Sequence, residues 1–112
     1  MLPKNQRLAS NRIEHVLKKG RKNGNAFLII KYLPNRQTKS RFCVIVSVKI
    51  FAKAVERNRL RRQIFEIFRT HPELPRSPSD IVIIAKIALT KLNFQDLTTT
   101  LLQSLQNITP TL

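Results

Sequence analysis

Ten residues hold most of the chemistry that this chain can do: Lys53-Ala54-Val55-Glu56-Arg57-Asn58-Arg59-Leu60-Arg61-Arg62. Five of the ten are Arg or Lys, against the single Glu56. At about 100° of helix per residue, Lys53, Arg57 and Arg61 form one row at i, i+4 and i+8. Arg62 lies further round and Arg59 sits on a different flank, so cations surround the first half of the helix. Like charges at this spacing repel one another and cost stability, a penalty that phosphate would remove. The planar fork of arginine suits phosphate oxygens and base edges. A charge run is most often a solvated face. Charge so nearly of one sign favours a polyanionic partner instead.

No second constellation competes with this one. The six carboxylates, Glu14, Glu56, Glu66, Glu73, Asp80 and Asp96, are scattered, and none stands beside another at helical or strand spacing. Two-metal phosphodiester cleavage needs clustered oxygen ligands, so no metal site is expected in the protein. His15 and His71 are isolated, which argues against an acid–base pair, and each reads as a surface or packing histidine. Cys43, the lone cysteine, lies in an apolar strand and reads as a small buried hydrophobe. Neither a P-loop nor a dinucleotide-type glycine motif occurs. Catalytic residues are expected to be absent from the chain, and any catalysis belongs to its partner.

The elements that must position the basic run follow from periodicity and punctuation. Residues 1–9 read as an extended lead-in. A first helix is expected over 11–19, with Asn11 as N-cap, Ile13, Val16 and Leu17 on one face, and Gly20 as its stop. The segment 21–25 reads as a loop, and 27–33 as a β-branched and aromatic strand. Residues 34–40 look like a hairpin connection to a second strand over 41–49, whose continuous apolar run predicts cover on both faces. The period then becomes helical over 52–69, with Leu60, Ile64, Ile67 and Phe68 on one stripe. A third strand follows over 81–86. Asn93 and Asp96 open a last helix that buries Phe94, Leu97, Leu101, Leu105 and Ile108, with 107–112 as a fraying tail. The order is αββαβα: one α+β domain over 1–112, a small mixed sheet packed with helices as a two-layer sandwich, its basic helix inside a βαβ unit. The general rule would make that crossover right-handed.

The whole composition agrees with the local chemistry. In 112 residues, 21 Lys and Arg face 6 Asp and Glu, a net charge of +15. Solubility asks for a magnitude of only about 2–8. A polyanion relieves the self-repulsion and releases its own condensed counterions. Hydrophobic residues make up 42% and glycines number 2, which excludes a disordered basic tail. The longest apolar runs, 27–30, 42–46 and 81–85, fall far short of the ~18 residues of a membrane span. No apolar segment follows Met1, so a cytoplasmic protein with no membrane partner is expected.

The run Ala54-Val55-Glu56-Arg57-Asn58-Arg59-Leu60-Arg61-Arg62-Gln63-Ile64 resembles the Arg-Asn-Arg signature of the bacterial ribonuclease P protein subunit family. Other stretches agree in order: Leu2-Pro3-Lys4 with Arg7-Leu8, Lys19-Gly20-Arg21, Ser47-Val48-Lys49, and Asp80-Ile81-Val82-Ile83-Ile84-Ala85. The likeness spans about 2 to 106. It implies a protein that binds a catalytic RNA, which, with Mg²⁺ held mainly by RNA and substrate, removes the 5′ leader of precursor tRNA. It also implies a left-handed βαβ crossover, as in ribosomal protein S5 domain 2-like folds, and this takes precedence over the general rule.

Carried over by position, the RNA-binding residues are Arg57, Asn58, Arg59, Arg61 and Arg62, flanked by Lys49 and Lys53. The leader cleft of the family, often lined by aromatics that stack on unpaired bases, maps to Ile13, Leu17 and Ile30, with Phe65 nearby. Here those positions are aliphatic, Phe65 stands where a basic residue is common, and Val48 replaces one lysine of a usual pair. The bland alternative makes Ile13, Leu17 and Ile30 part of the core. Among rival classes, a ribosomal protein would be equally small and basic. A DNA-binding regulator is disfavoured because strands flank the basic helix, and a protein-only nuclease because no carboxylates cluster; DNA is not expected as a partner.

Overall fold

A computed structural model describes residues 6–37, 39–75 and 77–108. In chain order the elements are α1 (Ser10–Lys19), β1 (Arg21–Gly24), β2 (Leu28–Pro34), β3 (Arg41–Ile45), α2 (Ala54–Thr70), β4 (Ser79–Ala85), a 3₁₀ turn (Ile87–Lys91) and α3 (Phe94–Gln106). The mixed α+β architecture expected from the pattern is present, with one strand more. The lead-in begins outside the described residues, and its visible end bridges Arg7 to Phe42 in parallel. Residues 109–112 of the expected tail also lie outside them.

The four strands run in the order β1-β2-β4-β3, with β2 antiparallel to β1 and β4, and β3 parallel to β4. The segment 34–40 is therefore not a hairpin connection. The strand β4 inserts between β2 and β3, because it alone is apolar on both sides along most of its length and only a central place covers it. The strand β3, expected to be covered on both faces, is instead an edge with alternating burial. It also ends at Ile45 rather than 49. The Ser47 hydroxyl takes the Lys49 N–H at 3.1 Å and the Ser47 carbonyl takes that of Ile50 at 3.0 Å, which turns the chain away from the ladder.

The segment 21–25 was expected as a loop, yet Arg21–Gly24 pairs with β2. Its polar residues carry little strand propensity; the partner strand and the Asn25 turn supply the order. The Asn25 Oδ1 accepts from the Phe27 and Leu28 N–H groups at 2.8 and 3.1 Å. Gly20 joins α1 to β1 so closely that any Cβ there would press on the Val16 carbonyl.

Helices lie on both faces. One face of the sheet carries Leu28, Ile30, Tyr32, Phe42, Val44, Ile81 and Ile83 against α2 and α3. The α2 stripe is Leu60, Ile64, Ile67 and Phe68, as its period requires, and Phe68 stacks on Phe42 with ring centroids 3.8 Å apart. The α3 stripe is Leu97, Leu101 and Leu105, followed by Ile108; Phe94, expected inside, is exposed at the first turn. Asn93 does cap that helix, its side chain accepting from Asp96 N–H at 2.8 Å. The opposite face holds Val82, Leu8 and Val16, with α1 laid across β2 and β4. The helix α1 starts one residue early, at Ser10, with Ala9 rather than Asn11 at the N-cap and no side-chain cap bond.

Candidate nucleic-acid interface

The strand β3 is the edge of the sheet, bridged among the described residues by the lead-in only at Phe42, and the basic helix follows it in the chain. The inner stripe of α2 is fixed by core packing, so its other flanks point outward with defined directions. Arg57 turns back toward the loop before the helix and donates to the Phe51 and Ala52 carbonyls at 2.9 and 2.8 Å. Arg61 donates to Asn58 Oδ1 at 2.8 Å and reaches the Val44 carbonyl at 3.4 Å. Asn58 thereby orients one guanidinium of the motif, while Arg61 caps a backbone group on the exposed strand edge. Arg59 and Arg62 are exposed, as are Lys49 and Lys53, and among the described residues these four side chains have no hydrogen-bond or ion-pair partner. The one-sided charge is therefore available to an outside anion.

Beside this helix, Cys43 and Ile45 on β3 and Ile84 on β4 are half-buried, bounded by Ile13 and Leu17 of α1. They make an apolar trough with Arg61 at its edge, the guanidinium reaching the Val44 carbonyl of β3. Burial pushes the Cys43 thiol up and outweighs the opposing pull of Arg61, which favours the neutral thiol over the thiolate. It is half-buried rather than buried. Lys31, pointing to the same face from β2, donates to the Leu17 carbonyl at 2.8 Å and ties α1 down.

The expected leader cleft does not form as a single lining. Ile13 and Leu17 lie at the trough, but Ile30 is fully buried on the other face of the sheet, against α2 and α3. Alternation explains this: on β2 the residues facing α1 are Ile29, Lys31 and Leu33, one step out of register with Ile30. Phe65 is part-buried against the α2–α3 core and does not join Ile13 and Leu17.

The most constrained polar group was not singled out by pattern. Asp80, fully buried at the start of β4, accepts from Arg12 at 3.1 and 2.8 Å, from Arg41 at 2.8 and 2.8 Å, and from Asn35 at 2.9 Å. One carboxylate thus fastens α1, the 34–40 connection and β3 to the central strand. Burial alone would raise its pKa; the hydrogen bonds from Arg41, Asn35 and Arg12 overcome this and hold it below the usual carboxylate range. A solitary Asp before an apolar strand, in a chain with so many arginines, was the available signal. His15 is exposed, while His71 Nδ1–H donates to the Ile67 carbonyl at 2.9 Å at the end of α2.

Among the described residues no three His, Cys, Asp or Glu side chains come together. Among the described residues, the side-chain donors form no set that would hold a resident Mg²⁺ ion. Nor, among those residues, is any helix long and apolar enough to cross a membrane.

Fold and site together define a class: a small α+β domain whose crossover helix exposes an unneutralised arginine array beside a half-open sheet face. The chain belongs to the ribonuclease P protein family, whose model matches residues 2–109. It is 35% identical over 96 residues to the ribonuclease P protein component of Syntrophomonas wolfei, covering 85% of this chain and 80% of that one. With the corresponding protein of Clostridioides difficile it shares 37% over 83 residues, 73% of this chain and 72% of the relative. The RNase P protein of Thermotoga maritima, solved in complex with 1-(4-fluorophenyl)-2-thiourea, superposes with a TM-score of 0.84 at 29% identity, covering 92% of this chain and all of that one. A Staphylococcus aureus RNase P protein mutant with defective mRNA degradation activity gives 0.83 at 26% identity, covering 92% of this chain and 87% of that one. Membership gives the chain a role in the ribonuclease P enzyme and hence in tRNA processing.

Proposed function

We propose that the chain binds the catalytic RNA of ribonuclease P through α2 and holds the unpaired 5′ leader of precursor tRNA in the adjoining trough. The RNA carries out the cleavage, its phosphates and those of the substrate holding the Mg²⁺, and the isolated chain is inactive. The observation that carries this reading is the set of exposed, unpaired cations on α2 and its approach, Lys49, Lys53, Arg59 and Arg62, on a helix whose Arg61 reaches the Val44 carbonyl of β3, the strand that also carries half-buried Cys43 and Ile45. Cations can follow a backbone while aliphatic side chains contact bases or sugars. In such a site phosphate contacts position the RNA without reading its sequence. Adding the purified protein to a ribonuclease P RNA at low Mg²⁺ should restore cleavage of precursor tRNA at the mature 5′ end. Cleavage unchanged by the protein would overturn the reading. The site of action is the cytoplasm.

A further inference from the structure

The flank of α2 that faces away from β3 carries a second feature. Glu56, Arg59, Leu60 and Gln63 recur at i, i+3, i+4 and i+7 and line an open cavity of about 320 Å³. Phe51, Leu92 and Leu97 complete its apolar part, with Thr90 at the edge. That volume stands at the low end of the ~300–1,000 Å³ typical of small-ligand sites, room for one base rather than a strand.

Glu56 is the odd residue here. It is exposed and, among the described residues, has no hydrogen-bond or ion-pair partner, although arginines surround it. On a helix that meets phosphate, a carboxylate opposes binding unless it meets donors instead. An ionised carboxylate only accepts hydrogen bonds, through two adjacent oxygens. Guanine alone offers two neighbouring donors on its pairing edge, N1–H and the N2 amino group. Adenine and cytosine set an acceptor beside their amino group, and uracil flanks its N3–H with carbonyls.

We propose that this cavity receives one unpaired guanine of the RNA partner, with Glu56 accepting from N1–H and the N2 amino group. The base lies against Phe51, and Arg59 binds the phosphate of the same nucleotide. The identity of the partner rests on the RNA-binding function proposed above; the preference for guanine rests on the cavity alone. Unpaired bases are commonly recognised in this way, by stacking plus hydrogen bonds to the pairing edge.

Titrating the full chain with the 5′-monophosphates of guanosine, inosine and adenosine tests the proposal, because their equal charge removes the general attraction of a +15 protein from the ratio. The guanosine nucleotide should bind about five-fold or more tightly than the adenosine one, the low end of what a bidentate pair gives. Inosine monophosphate, lacking the N2 amino group, should fall between them. Glu56→Gln should bring the guanosine and adenosine values together. Equal affinities in the unmodified chain, or a guanosine preference that survives Glu56→Gln, would overturn the site. Parallel binding to a ribonuclease P RNA keeps the two proposals apart. A chain that selects guanosine monophosphate yet ignores that RNA supports the cavity and sinks the RNA partner.

Discussion

Arg57 and Arg61 direct their guanidinium groups toward backbone carbonyls of the fold, whereas Arg62 points away with no partner among the described residues. The spacing of the motif does not distinguish them; the core-facing stripe does, by turning one flank toward β3 and leaving another in solvent. Substitution should therefore separate charge from structure. Arg62→Ala should weaken RNA binding, lower the slope of log K against log salt by roughly one unit, and leave thermal stability unchanged. Arg57→Ala should show the same change of slope and also destabilise the protein by about 1 kcal/mol, since the Phe51 and Ala52 carbonyls lose a donor. Salt-dependent titrations and thermal melts on the two variants check both halves. An unchanged salt slope for Arg62→Ala would remove that residue from the RNA contact.

At the scale of elements, the Asp80 carboxylate decides how α1 and β3 sit on β4. Breaking a buried pair from one side typically costs about 3–5 kcal/mol. Here the lower end is expected, because the side chains of Arg12 and Arg41 are 35% and 24% exposed and can return to water. Asp80→Asn should therefore lose about 3 kcal/mol near neutrality. Its pKa is lowered in the fold, so the contribution is fully present above the unfolded value, about pH 4, and disappears as pH falls through the folded one. Denaturant melts should show the gap between the protein and Asp80→Asn closing below about pH 4. A gap that stays constant with pH would mean that the carboxylate's charge does not hold these elements.

The same scale shows where sequence legibility stops. The α2 stripe and the α3 cap at Asn93 could be read because a single local period or capping residue determines each. The pairing of Arg21–Gly24 and the place of β4 between β2 and β3 could not, since both depend on which strand finds cover in three dimensions. Register has the sharpest consequence. Ile30 resembles a cleft residue by alignment, yet a step of one residue along β2 moves it to the opposite face. The basic flank of α2 was legible in sequence; the reach of Arg61 to Val44, the Asp80 clamp and the cavity beside Glu56 were not, because their partners lie far apart in the chain. Paired substitutions separate the faces. Ile30→Tyr should overpack the core, costing about 1–3 kcal/mol with no gain in binding. Leu17→Phe, at the half-buried trough, should strengthen binding of leader-bearing precursor and leave that of mature tRNA unchanged, because it adds a ring on which a base can stack. Loss of stability from Leu17→Phe without a leader-dependent gain would assign Leu17 to the core.

For the whole molecule, the decisive quantity is uncompensated charge. Six acids face 21 cations, and three of the six are already engaged: Asp80 with Arg12 and Arg41, Glu14 with Lys18 and Glu66 with Arg69. The remaining excess is spread over the surface and outlasts any single substitution. On the function proposed above, the protein sits between a catalytic RNA and its precursor substrate and should lower the mutual repulsion of their phosphates. Divalent ions lower it too, by screening the same phosphates. The two agents should therefore substitute for one another. The protein's effect on precursor affinity and cleavage should be greatest at low Mg²⁺ and shrink steadily as Mg²⁺ rises, with the variants that lose exposed cations shrinking it further at every concentration. The proposed leader contact should behave differently, since apolar contact in the trough does not depend on screening. Comparing precursors with and without a leader across the titration separates the two contributions: the electrostatic one falls with Mg²⁺, and the leader-dependent remainder persists. A protein effect that stayed constant from low to high Mg²⁺ on the leaderless RNA would count against charge neutralisation as the source of assistance.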